Sequence, residues 1–132
     1  MPVTKHNPKE LFPQYRCYSH ATEIHGDSRL LMISGQNGYL SDGRTMPESF
    51  EEQAEIIWTH IRTILRSAGM DLHNLVCLRT YVADPRYDEA NVRMRVKFLG
   101  THEPSLTVVC CQLLDPKCGR MRAPIDDPVM EG

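Results

Sequence analysis

Tyr18 and His20 stand two positions apart, so on an extended strand both side chains leave the same face. A phenol can donate a hydrogen bond or act as an acid, and an imidazole titrates near neutrality. The competing readings are structural: a buried tyrosine with a satisfied hydroxyl, and a histidine on a surface or interface. Ser34 offers a hydroxyl to a ligand, although Ser34-Gly35-Gln36 equally suits a backbone turn, and Gly35 is read there as conformational. His25 lies an odd number of residues from His20, so the two face opposite sides and make a poor metal pair. His6, His60, His73 and His102 show no ligand-like spacing, and no metal site is expected.

The five cysteines (Cys17, Cys77, Cys110, Cys111 and Cys118) are odd in number and contain no C-x-x-C pair, which argues against a disulfide framework or a structural zinc site. Cys110 and Cys111 fall inside an apolar run and are read as small core residues. Fifteen Lys and Arg against seventeen Asp and Glu give a formal charge of −2, too little positive charge for a nucleic-acid or anionic-membrane partner. No apolar run approaches a membrane span, and Met1-Pro2-Val3-Thr4-Lys5-His6 lacks a signal-peptide core; the expected compartment is the cytoplasm.

The elements that must hold these residues follow from patterning along one domain of 132 residues, with its core over about 10–123 and a frayed tail over 124–132. Residues up to 13 read as an extended lead-in, and 16–24 and 30–35 as two strands around the turn His25-Gly26-Asp27-Ser28. A further short strand is expected at Tyr39-Leu40. Ser49 with Glu52 forms a capping-box signature, and Gly69 stands where a helix-ending glycine belongs. Between them Phe50, Ala54, Ile57, Trp58, Ile61, Ile64, Leu65 and Ala68 recur at helical spacing, predicting an amphipathic helix whose other face (Glu51, Glu55, Arg62, Arg66) meets solvent. A strand at 75–83 stops at Asp84-Pro85, and a helix at 88–99 with Ala90, Met94, Phe98 and Leu99 inward stops at Gly100. A strand at 106–114 and a weak last strand at 119–123 complete the order. The expected fold class is α+β, with two helices on one face of a mixed sheet. Because Leu75-Val76-Cys77-Leu78 and Val108-Val109-Cys110-Cys111 are apolar on both strand faces, the face away from the helices also needs cover, and a second copy of the chain is expected to supply it.

Several of these segments together resemble the Rid family, also called YjgF or L-PSP. Leu31-Met32-Ile33-Ser34-Gly35-Gln36-Asn37-Gly38 is similar to its SGQ-x-G segment and Tyr18-Ser19-His20-Ala21 to its entry strand. Gln53, Ala68-Gly69, the strand ending at Asp84, Asn91 and the stretch 104–109 match in order. The resemblance covers about residues 10–118 and implies a chorismate-mutase-like fold, with the sheets of a homotrimer closing into a central barrel and small clefts between subunits. It implies a cofactor-free hydrolase or deaminase acting on imines or enamines such as 2-aminoacrylate. Tyr18, Ser34 and His20 become candidates for catalysis, and Leu106, Val108, Asn91 and Gly35 for substrate binding.

The chain departs from that pattern at two points. Active members read P-x-R-[ST], where the arginine fork grips the substrate carboxylate; here Pro104-Ser105-Leu106-Thr107 puts Leu106 in its place. The glutamate of the last strand has no counterpart in Lys117-Cys118-Gly119-Arg120-Met121-Arg122. Three readings therefore stay open: a divergent hydrolase of a more apolar imine or enamine, a trimer that binds a small ligand without turnover, and a ribonuclease. The charge balance makes the last the weakest.

Overall fold

The computed structural model describes residues 3–11, 13 and 18–113. In order these form β1 (Val3–His6), β2 (Ala21–Ile24), α1 (Phe50–Ser67), β3 (Cys77–Val82), α2 (Asp88–Leu99) and β4 (Ser105–Cys110), with 3-10 turns at Leu72–Asn74 and Pro85–Tyr87.

The capping signals of α1 work as the sequence implies. The Glu52 N–H donates to the Ser49 hydroxyl at 3.1 Å, and Glu51 and Glu52 place negative charge at the positive end of the helix. At the other end Gly69 takes φ +75°, and the N–H groups of Gly69 and Met70 donate to the carbonyls of Arg66 and Leu65, closing the last turn as a Schellman motif. One face of the helix enters the core, where Ala54, Ile57, Ile61 and Leu65 are fully buried.

β3 alternates: Leu78, Thr80 and Val82 are buried, while Arg79 between them is exposed. Asp84 accepts from the Arg86 N–H at 2.9 Å and turns the chain into α2. α2 is the crossover between β3 and β4, which pair in parallel with Leu78 opposite Leu106 and Thr80 opposite Val108. Ion pairs Glu51–Arg93 (3.5 Å) and Glu55–Lys97 (3.1 Å) advance together along both helices, so α1 and α2 run in the same direction. Both pairs are exposed and contribute little. The seam is packed by rings: Phe50 stacks on Tyr87, and the sole tryptophan, Trp58, on Phe98 at 5.7 Å. Ala90, Met94 and Leu99 face inward as expected, and Phe98 lies at the margin of the core.

The strands depart further from expectation. Instead of one mixed sheet, the described residues form two pairs, β1 with β2 antiparallel and β3 with β4 parallel. Residues 30–35 enter neither pair, yet their alternation survives: Leu31 packs on the core and Ile33 is buried, while Leu30 and Met32 are 59% and 65% exposed. Alternating apolar residues specify an extended segment with one face inward; a ladder also needs a partner edge, which the segment's own residues do not encode. Tyr39-Leu40 is likewise no strand but part of a turn, where the Leu40 N–H donates to the Thr45 carbonyl at 2.7 Å. Asp42 organises that turn by accepting from the Thr45 hydroxyl and from the Thr45 and Arg44 N–H groups, which lower its pKa to about 2.

The expected lead-in contains a strand, β1, whose four residues are all exposed. The strand expected over 16–24 is observed as Ala21–Ile24, and its first two residues lie outside those described. Cys110 is exposed and Cys111 half-buried rather than core, because β4 leaves both its faces uncovered towards its end, with Val108 and Val109 40% and 39% exposed. The strand expected over 119–123 and the tail over 124–132 lie outside the described residues.

Candidate functional site

Ser19 organises the corner where the expected site residues lie. It is 1% exposed; its N–H donates to the Pro104 carbonyl at 3.0 Å and its hydroxyl to the Glu103 carbonyl. These bonds pin the residues entering β2 to the loop between α2 and β4. Because Ser19 points inward, its neighbours point the other way. Tyr18 and His20 are half-buried and meet edge to face, with ring centroids 5.4 Å apart. The His20 N–H is held by the Asn7 side-chain oxygen at 2.9 Å, so the chain after β1 closes the same corner.

Leu106 follows Pro104 by two residues. It is half-buried and packs against the core beside its register partner Leu78. Its side chain presents no donor where the resemblance expects a guanidinium. Val108 lies two residues further along β4 on the same strand face and is exposed.

His102 supports this corner, and sequence spacing did not single it out. Its ring Nε2 donates to the Leu75 carbonyl at 2.6 Å and its backbone N–H to the Leu99 carbonyl at 3.0 Å. Burial lowers its pKa, opposed by the bond to Leu75, so the neutral ring is favoured. The signal in sequence was faint: a histidine directly after the Gly100-Thr101 helix stop.

Ser34 and Gly35 are exposed, and the Gln36 side-chain amide donates back to the Ser34 carbonyl at 3.2 Å. The glycine held by close packing in this segment is Gly38, where an added Cβ would lie 2.8 Å from the Gln53 Cα. Asn91 is 2% exposed on α2, and its Nδ2 is buried without a hydrogen-bond partner. A shallow cleft of about 250 Å³ lies elsewhere, between Tyr39, Leu40, Ser41 and the outer face of α1 at Glu55, Ile56, Thr59 and His60. None of the expected site residues lines it.

Among the described residues, no group of three or more His, Cys, Asp or Glu side chains is placed to hold a metal. No described helix is long and apolar enough to cross a membrane. The corner held by Ser19 offers a phenol and an imidazole in contact.

The fold has close counterparts among solved structures. A Rid-family protein of unknown function, YyfB from Yersinia pestis, superposes with a TM-score of 0.81 at 24% identity, over 98% of this chain and 99% of that one. RidA from the Antarctic bacterium Psychrobacter gives 0.67 at 26% identity, over 86% and 87%. In sequence, a RutC family protein of Aquifex aeolicus is 35% identical over 75 residues, 56% of this chain. The mitochondrial protein Mmf1 of Saccharomyces cerevisiae is 26% identical over 97 residues, 74% of this chain. The matched stretches span 58% and 65% of those two curated relatives, less than two thirds of either. The model of the Endoribonuclease L-PSP family matches residues 10–119, so this chain, with its SGQ-x-G segment and α+β fold, belongs to the Rid (YjgF/L-PSP) family.

Proposed function

We propose that the protein binds a small imine, enamine or related metabolite in clefts between copies of the chain, and hydrolyses it without a cofactor. The observation that carries this reading is the Ser19 tie, which fastens the segment bearing Tyr18 and His20 to Pro104, two residues before Leu106 in the chain. The exposed Val108 on β4 is apolar surface for a neighbouring copy to cover. A homotrimer, the assembly the family resemblance implies, would complete three such clefts.

Within that cleft Tyr18 and His20 are the groups able to move a proton, and a water molecule would be the nucleophile. Leu106 selects against a carboxylate at its position, since a carboxylate beside leucine loses solvation without gaining a donor. The substrate therefore presents an apolar or neutral part to Leu106. A second reading, ligand binding without turnover, is favoured by the same residue: its packing against the core leaves no charged anchor in that place.

The test generates imines in situ with an amino-acid oxidase and follows keto-acid release with and without the protein. Release above the spontaneous rate, reduced by Tyr18→Phe, supports the hydrolase. Saturable binding of the imine products or substrates with no acceleration supports the binding reading. The family's ribonuclease name makes a third assay worthwhile: at formal charge −2, binding to single-stranded RNA is expected to vanish at physiological salt.

A further inference from the structure

We propose that Asn37-Gly38 is a site of spontaneous deamidation in the native protein. The pair lies in the SGQ-x-G segment, within residues 31–40, which carry neither helix nor ladder. Among the described residues, no hydrogen bond holds the Asn37 side chain or the Gly38 N–H. Asn37 is half-buried, so water reaches it.

The chemistry needs only these two residues and water. The Gly38 backbone nitrogen attacks the Asn37 side-chain carbonyl carbon. The new N–C bond forms as the bond to Nδ2 breaks, and ammonia leaves with the proton from the Gly38 nitrogen. Water then opens the cyclic imide at either carbonyl, giving aspartate or isoaspartate. Glycine favours the first step because no Cβ obstructs the approach.

The remaining three asparagines are each protected. Asn7 precedes Pro8, whose nitrogen carries no hydrogen, and its side-chain oxygen is held by the His20 N–H. Asn74 accepts from the Asp71 N–H at 2.9 Å within a 3-10 turn. Asn91 is buried in α2 and is followed by the β-branched Val92.

Both products alter the segment. Each adds one negative charge to the formal −2. Isoaspartate also inserts a methylene into the main chain next to Gly38, where the Gln53 backbone leaves no room even for a Cβ, so this product displaces Gly38 from α1.

The full-length protein is incubated at mildly alkaline pH and body temperature, then digested with trypsin, which releases residues 30–44 between Arg29 and Arg44. Fragment masses locate the amide-to-acid gain, and chromatography separates the two acid products. The gain is expected at Asn37 roughly tenfold or more faster than at Asn74 or Asn91, given glycine as the following residue. Asn37→Gln abolishes the matching acidic isoform on ion exchange. If Asn37 in the folded protein converts no faster than Asn74 and Asn91, while the freed peptide converts readily, the native loop blocks the reaction and the proposal is overturned.

Discussion

The backbone N–H of Ser19 meets the carbonyl of Pro104 at 3.0 Å, joining the approach to β2 with the approach to β4. The hydroxyl of the same serine reaches the adjacent Glu103 carbonyl, so a single buried residue satisfies two carbonyls of a loop distant in sequence. Side-chain alternation then turns Tyr18 and His20 away from the interior. The placement of the candidate chemistry thus depends on a residue that takes no part in it.

Stability is expected to fall as the pH drops below the ordinary histidine value near 6.5, in part through His102. Its folded-state pKa is lowered, so the unfolded chain binds more protons in the window between the lowered value and 6.5. Stability therefore rises with pH across that window, is fully present above it, and is lost as the pH falls through it. His102→Gln should flatten this part of the profile in denaturant titrations at stepped pH. An unchanged slope would remove His102 as its source.

Gly38→Ala should destabilise the fold by about 1–3 kcal/mol, because the new methyl meets the backbone of α1 at Gln53 and cannot push it aside. Gly43→Ala has open space around it but a φ of +70°, and should cost about 1–2 kcal/mol through backbone strain alone. Thermal melts of the two variants separate contact from conformation. A Gly38→Ala protein as stable as the parent would mean that this close approach does not constrain the loop.

Leu106→Arg should strengthen binding of carboxylate-bearing ligands by about 1.5–3 kcal/mol, the range for hydrogen bonds to charged groups. Turnover of 2-aminoacrylate should remain low, since no acid occupies the stretch matching the family's last strand. The parent protein should process this substrate far more slowly than arginine-bearing relatives. Titration calorimetry and keto-acid release measure the two effects separately. Equal parent rates would show that the arginine position is dispensable here.

Light scattering on the purified protein should return three times the 15.1 kDa chain mass. Val108→Asp, which puts charge onto exposed β4 surface, should lower that mass while leaving α1 and α2 helical by circular dichroism. A monomer at micromolar concentration would defeat the assembly and the clefts proposed with it.

The helices were legible in the sequence because their signals are local. Ser49, the apolar spacing through Leu65 and the positive φ of Gly69 act within a few residues of one another. The strands were legible in part: β3 and β4 overlap the segments expected over 75–83 and 106–114, but which strands pair is decided by distant chain. The polar Val3–His6 finds its partner in Ala21–Ile24, whereas the more strand-like 30–35 finds none among the described residues. The site was legible in part for the same reason. Tyr18 and His20 share a face by simple alternation, but the bond that carries them to Pro104 is invisible to any local pattern. The burial of Asn91 was equally hidden, since a polar residue on a helix reads as surface unless the packing around it is known.

The stacking of Trp58 on Phe98 gives this protein a built-in optical probe. As the sole indole, 2% exposed in the seam between α1 and α2, it should emit at short wavelength in the folded state and shift to the red only when the helices separate. Arg62 and Lys97, each within 5.6 Å of the Phe98 ring centroid, cap the stack with positive charge. Intrinsic fluorescence can therefore follow the opening of the helical layer, the same seam in which Tyr87 stacks on Phe50.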